Sequence, residues 1–452
     1  MKTEHVHSKW WILIVLLVFS LHSRPLYAQD LDRITERGII GTARYVGFGG
    51  AMTAIGGDPS AVHDNPAGLG LYRRFEVLLS LDETIDKTKQ VGASNTYLRS
   101  SFRLPHASLV FSFPSAATSD QGVQFNNLML SFRRLQTYNR TYQASGTDGA
   151  SLGALVDQPS IPWNIPFCTL PTNKTNSLSV REAGYLDEFA FDWSMNISNQ
   201  WYVGAGVRVQ SYSLSSNGDY YETFDSINAE GKALDIENET GLILSGVSCN
   251  LSAGIIYRPV RWLRLGLSMQ TPSLGFLRTS TTGTFSARTD SVRFSYAPNL
   301  SDRDGSFHMP WRSSVSAAFQ IGAYGMLALQ YDYSHWANRD DVHVLKAGLE
   351  VIPVMGLYIN AGYAYESSFQ KTDKTVPFVP GFDRQDTYYM HPKWAQYASV
   401  AVGYRGAFFM IQAAYQYRWQ RTNLYAHEAV TAPYDMRSDT HRIVITLGWH
   451  QY

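Results

Sequence analysis

The sequence predicts an all-β chain that closes into a transmembrane antiparallel β-barrel of about 14 strands, with a small N-terminal hatch (plug) in the lumen. Three features carry this. Apolar and polar residues alternate in paired runs close to the ~9–11 residues a tilted strand needs to cross a bilayer. Short and long connections alternate between the runs, as in outer-membrane barrels. A Gly-rich stretch that is neither strand nor independent domain precedes the first run.

The clearest pair lies between Phe189 and Gln210. Phe189, Phe191, Trp193, Met195 and Ile197 fall on one face; Glu188, Asp192, Ser194, Asn196 and Ser198 fall on the other. After Asn199 and Gln200, Trp201, Val203, Ala205, Val207 and Val209 oppose Tyr202, Gly204, Gly206, Arg208 and Gln210. Period two means strands, because successive side chains leave opposite faces of the pleat. Ionised groups on the polar face suit a water-filled lumen, with the apolar face toward lipid.

Composition agrees. The chain has 452 residues, of which 13% are aromatic and 17% charged. Soluble proteins carry ~25% charged residues, and the Tyr and Trp excess suits aromatic girdles at two membrane interfaces. A Tyr-rich soluble sandwich or propeller is the competing class. Thirty-eight basic and 38 acidic residues cancel, so nothing points to nucleic acid. No apolar run reaches the ~18 residues of a membrane helix.

Trp10–Phe19 is the one long apolar run. Lys2 and Lys9 precede it and Leu26-Tyr27-Ala28 follows, so residues 1–28 read as a secretory signal peptide. The two cysteines, Cys168 and Cys249, could pair outside the cytoplasm, which the sequence leaves open.

Alternation places strands at 75–86, 101–113, 122–136, 186–198, 201–215, 246–258, 261–272, 310–321, 326–336, 342–352, 357–367, 394–405, 408–420 and 439–450. An even count puts both ends of the barrel domain, 75–452, on the periplasmic side. Tight turns fall at Ser198–Gln200, Arg258–Val260, Gly322–Gly325, Pro353–Gly356 and Gly406–Ala407. The longer connections 137–185, 216–245, 273–309, 368–393 and 421–438 read as outward loops; 337–341 is a short exception. Tyr452 ends the chain one step off the outward parity of Ile443, Ile445, Leu447 and Trp449.

Residues 29–74 read as the hatch. Short helices are expected at Ala51–Ile55 and near Ser60–His63. The segment has few large apolar side chains, so polar contacts to inward residues such as Arg208, Arg264 and Glu350 are expected to hold it. Pro66 fixes its own φ and pushes Asn65 to an extended conformation, from which the Asn side chain can cap local backbone.

This segment resembles the FadL-type family of outer-membrane transporters for long-chain fatty acids and other hydrophobic compounds, in the style of its divergent Bacteroidetes members. The resemblance rests on Gly49-Gly50-Ala51-Met52-Thr53-Ala54, Asp58-Pro59-Ser60-Ala61 and Asn65-Pro66-Ala67-Gly68-Leu69. Leu263 to Pro272, Pro310-Trp311-Arg312, Lys346 to Glu350 and Val402 to Arg405 are similar to the family's later strands. It implies a fourteen-stranded barrel whose hatch carries Asn65, Pro66, Ala67 and Gly68.

Chemical motifs are incomplete. Gly47-x-Gly49-Gly50 lacks a strand–loop–helix setting for a dinucleotide. Asp302-x-Asp304-Gly305 lacks the remaining calcium ligands. Asp332, Ser334 and His335 divide between faces and lack a nucleophile elbow. The sequence therefore predicts no enzyme, catalytic residue, metal or cofactor. Arg208, Arg264 and Lys346 fall on inward positions and are the ligand-binding candidates. Asp192, Glu188 and Glu350 share the lumen and offer them partners, so bracing of the wall is the competing role.

The predicted function is passive uptake of a hydrophobic molecule, a long-chain fatty acid or similar apolar compound, across the bacterial outer membrane. The alternative is a barrel serving as scaffold or partner subunit in a secretion complex. Expected partners are the hydrophobic ligand, membrane lipids and lipopolysaccharide, with a protein partner left open.

Overall fold

The computed structural model describes residues 37–116, 121–146, 174–224, 234–288, 293–297, 302–335, 341–367, 389–426 and 433–451. The predicted signal peptide, Cys168 and Tyr452 lie outside them.

Among the described residues seventeen strands form one antiparallel sheet that closes on itself. They are β1 (Glu76–Gln90), β2 (Tyr97–Pro114), β3 (Val123–Gly146), β4 (Lys174–Ile197), β5 (Trp201–Phe224), β6 (Leu234–Val260), β7 (Leu263–Gln270), β8 (Leu274–Arg288) and β9 (Arg293–Tyr296). There follow β10 (Arg303–His308), β11 (Trp311–Ile321), β12 (Gly325–His335), β13 (Val342–Val354), β14 (Leu357–Glu366), β15 (Tyr389–Arg405), β16 (Phe409–Tyr425) and β17 (Tyr434–His450). β1 pairs with β17 from Glu76↔His450 to Gln90↔Met436, which closes the barrel.

Two wall strands are interrupted. β7 and β8 both pair with β6 and are separated by Thr271-Pro272-Ser273. β11 pairs with β7 and β10 with β8, with Met309-Pro310 between them. A proline has no N–H for the ladder, so each break falls at one. β9 pairs only with β8. The wall therefore has fourteen strands. The hairpin between β4 and β5 turns through Ser198 and Asn199, both at positive φ (54° and 55°), the type I′ geometry that matches strand twist.

The exterior of the membrane zone is apolar: Val207, Val209, Leu251, Leu267, Ile359, Ile411 and Ile445 are exposed. Their neighbours Arg208, Asn250, Ser268, Asn360, Gln412 and Thr446 are buried inside. That pattern suits lipid outside and a polar lumen within, and the molecule is a transmembrane barrel of outer-membrane type. Cys249 is a free thiol on the outward face.

Several wall strands are much longer than alternation predicts. β3, β4 and β5 each have 24 residues and β6 has 27. Much of the predicted loops 137–185, 216–245 and 273–309 is thus strand standing above the membrane. Alternation fails there because polarity inverts. In β5 the outward positions change after Val209 to Ser211, Ser213, Ser215 and Asn217. The inward ones change after Gln210 to Tyr212 and Leu214, with Tyr220 and Phe224 beyond. Outside the bilayer water solvates the exterior, and apolar side chains gain by turning inward. They form two interior clusters. One contains Leu178, Val180, Tyr220, Phe224 and Ile236; the other contains Leu135, Tyr138, Leu186, Tyr212, Leu214, Leu244, Phe307 and Met309.

The N-terminal segment packs within the wall. It contains α1 (Ala43–Gly47), α2 (Pro59–Asp64) and a 3₁₀ turn, Pro66–Leu71. Residues 53–55 form a turn, and no helix forms over Ala51–Ile55 as expected. Thr42 caps α1 by accepting from Tyr45 N, and Asp58 caps α2 by accepting from Ser60 N. Side-chain oxygens at these positions satisfy N–H groups that the helix itself cannot. Tyr45, Val46, Phe48, Met52 and Ile55 are buried against wall alanines including Ala318, Ala364, Ala401 and Ala414. Apolar packing thus joins the predicted polar contacts in holding the segment.

Candidate functional site

The Asn65–Gly68 motif lies against the wall. Asn65 is extended (φ −141°, ψ 103°), and its Oδ1 accepts from Ala67 N at 3.1 Å, capping the 3₁₀ turn. Its Nδ2 donates to the Thr53 carbonyl at 2.9 Å. Pro66 opens the turn, and Ala67 and Gly68 are buried within it. The wall is glycine where the motif meets it. A Cβ at Gly204 would come within 2.6 Å of Ala67 N, and one at Gly254 would overlap the Asn65 side chain. Absence of a side chain at these two positions permits the close approach.

Inward polar residues tie the segment at many points. Arg44 makes a two-pronged ion pair with Glu350 at 2.8 and 3.0 Å. Arg133 reaches the Ile40 carbonyl at 2.8 Å and Asp64 at 3.2 Å. His63 Nδ1 lies 2.8 Å from Glu188 Oε1 and its Nε2 lies 3.1 Å from Ser131 Oγ.

Arg208, a ligand candidate from the sequence, is fully buried. It pairs with Asp192 at 3.0 Å, bonds to Ser252 Oγ and donates to the Val62 carbonyl at 3.1 Å. Arg264 donates to the Ile55 carbonyl at 2.8 Å. Lys346 pairs with Asp332 at 2.6 Å and lines a chamber above the segment. The expected holding contacts of Arg208, Arg264 and Glu350 are therefore all present. The three candidate cations are spread around the lumen, and only Lys346 faces this chamber.

The chamber encloses about 140 Å³ between the segment, β3, β4, β7, β11, β12 and β13. Lys346–Asp332, Arg133–Asp64 and His63–Glu188 in its wall are paired. Arg37 and Arg312 also line it, and among the described residues neither makes a hydrogen bond or ion pair. Sequence reasoning missed both. Arg312 shares the inward parity of Ser316 and Ala318 in β11, so period two could have placed it; Arg37 belongs to no periodic element. Leu135 and Val342 line the chamber and also join the apolar cluster above it, so the two are continuous.

The wall also parts on one side. β2 pairs with β3 only from His106↔Arg133 to Pro114↔Phe125. Beyond Pro105, β2 stays with β1 and the outer half of β3 stays with β4, while Thr88 and Gln90 of β1 bridge to Thr141 and Ser145 of β3.

No family model and no curated protein matches the sequence. Solved structures do match. A FadL homologue from Pseudomonas aeruginosa aligns over 92% of this chain and 98% of its own, with a TM-score of 0.56 at 13% identity. The fold is FadL-type. The toluene transporter TodX of Pseudomonas putida agrees over 92% of this chain and 99% of its own, with a TM-score of 0.54 at 15% identity. Two features of this barrel bear on what it carries: the pair of arginines that make no hydrogen bond or ion pair among the described residues, and the inversion of polarity at the outer mouth.

Proposed function

We propose that the barrel mediates passive uptake of hydrophobic molecules across the outer membrane, and that its preferred ligand is a long-chain amphipathic anion of the fatty-acid class. The observation that carries this is the placement of Arg37 and Arg312, which among the described residues make no hydrogen bond or ion pair, directly below an inward-facing apolar mouth. A guanidinium drawn out of bulk water without a directly bonded carboxylate is unfavourable, and a ligand carboxylate at this position would serve both. Arginine's planar fork suits that group.

Size supports the same division of labour. A chamber of about 140 Å³ matches the ~150 Å³ that accommodates one benzene, so it takes a head group and not a whole chain. The tail then lies among Leu135, Tyr138, Leu214, Leu244, Phe307 and Met309. The fold likeness to a FadL homologue and to a toluene transporter supports a hydrophobic cargo.

The test is saturable uptake of oleate by cells expressing Arg37→Gln, Arg312→Gln and the double variant. A charge-assisted hydrogen bond contributes ~1.5–3 kcal/mol, so each single variant raises the half-saturating concentration about tenfold or more, while uptake of neutral toluene is unchanged. Unaltered oleate uptake in the double variant would defeat the assignment.

A further inference from the structure

A second cavity lies at the other end of the segment, beside the short turns. It encloses about 230 Å³ and shares no lining residue with the chamber. Arg44 and residues Gly57–Pro59 of the segment form one side. The wall supplies Glu76 and Leu78 of β1, Ile352 of β13, Tyr358 of β14, Arg405 of β15 and Met410 of β16.

Its chemistry differs from that of the chamber. Arg44 is chelated by Glu350, and Arg405 is paired with Glu76. Asp58 accepts from the Thr42 hydroxyl and from Ser60 N. Every ionised group here has its partner, so a further charge would enter uncompensated. One polar atom is left over. Tyr358 is 9% exposed, lines the cavity, and its hydroxyl has no hydrogen-bond partner. Buried hydroxyls rarely remain unmatched, and a ligand or ordered water normally completes them. Leu78, Ile352, Leu357 and Met410 supply apolar surface around it.

We propose that this cavity is a second ligand site, selective for uncharged hydrophobic molecules that carry one hydrogen-bond-accepting oxygen, such as long-chain alcohols, and that it lies on a path to the short-turn mouth. The Tyr358 hydroxyl donates to that oxygen and the apolar side chains take the adjoining carbons. Resting on the uptake reading above, the inference adds a sorting step. Anions are held at Arg37 and Arg312 in the chamber, while neutral molecules proceed past the segment.

The experiment is photo-crosslinking of the full-length protein in lipid nanodiscs with two probes of equal length, a diazirine-bearing long-chain alcohol and the matching carboxylate. Adducts are then mapped by peptide mass spectrometry. The alcohol is expected to label peptides containing Ile352–Tyr358 and Met410, and the carboxylate peptides around Arg312 and Leu135. Met410→Trp, which fills the cavity, abolishes the alcohol adducts there and leaves the carboxylate adducts unchanged. Tyr358→Phe weakens alcohol labelling by about fivefold, as loss of one neutral hydrogen bond implies. Heat-modifiable migration checks that both variants are folded. Carboxylate labelling of the chamber without alcohol labelling of the second cavity would overturn this proposal and leave the uptake reading intact. Full alcohol labelling in Tyr358→Phe would mean that water alone satisfies the hydroxyl, and would remove the proposed selectivity. Adducts in neither cavity would overturn both readings.

Discussion

His63 Nδ1 lies 2.8 Å from Glu188 Oε1, and this buried contact joins the N-terminal segment to β4 across 125 residues of sequence. Gln210 donates to the other Glu188 oxygen at 2.7 Å, and Arg208 lies 3.9 Å from the shared one. The carboxylate therefore bonds to His63 and Gln210, from two parts of the chain, and lies within ion-pair distance of Arg208. Glu188→Leu should destabilise the barrel more than His63→Leu, because it strands two buried hydrogen-bonding groups at ~1–3 kcal/mol each and removes a counter-charge from Arg208. Urea midpoints of the heat-modifiable form measure both; equal midpoints would mean that the contact carries little.

Close approach of the segment to wall glycines gives a second prediction. Gly362 faces Gly49 and Phe48 so closely that a Cβ there would overlap backbone. Gly362→Val should displace the segment and expose it to protease, whereas Ala361→Val on the outward face should not. Limited proteolysis of outer-membrane fractions reads the difference.

The lipid face is tested by charge. Val207 and Ile359 are exposed at 41% and 49%, so Val207→Arg or Ile359→Arg placed near mid-membrane should cost ~2–4 kcal/mol. The same substitution at Ser211 or Ser213, beyond the polarity inversion in β5, should cost little. Equal penalties along β5 would contradict the assigned membrane boundary.

Orientation follows from strand length. In a variant lacking Cys168 and Cys249, a cysteine at Asp304 should label on intact cells with an impermeant maleimide. One at Met355, in the short turn between β13 and β14, should stay silent until the membrane is opened. The opposite result would invert the barrel.

Deleting residues 29–60 removes Arg44, Asp58 and most of the apolar packing of the segment, but none of the ladder that closes β1 on β17. The truncated barrel should fold, conduct small ions in planar bilayers and lose saturable oleate uptake. Retained uptake without conductance would show that the segment plays no part in transport.

The sequence by itself determined the strands of the membrane zone, the faces they present and the inward placement of Arg208, Arg264 and Lys346. All three follow from period two, a local property that needs no knowledge of neighbours. It also determined the extended conformation of Asn65, since Pro66 acts on the residue before it. Tertiary structure decided which charges remain without partners. Arg44 meets Glu350 across 306 residues and Lys346 meets Asp332 through the pairing of β12 with β13. Among the described residues the same geometry leaves Arg37 and Arg312 without a hydrogen bond or ion pair. It decided, too, where lipid ends. The inward turn of Tyr212, Leu214, Tyr220 and Phe224 reads as a loss of pattern along the chain. The closed wall makes it an apolar mouth, because only there does water replace lipid outside while the interior is shielded.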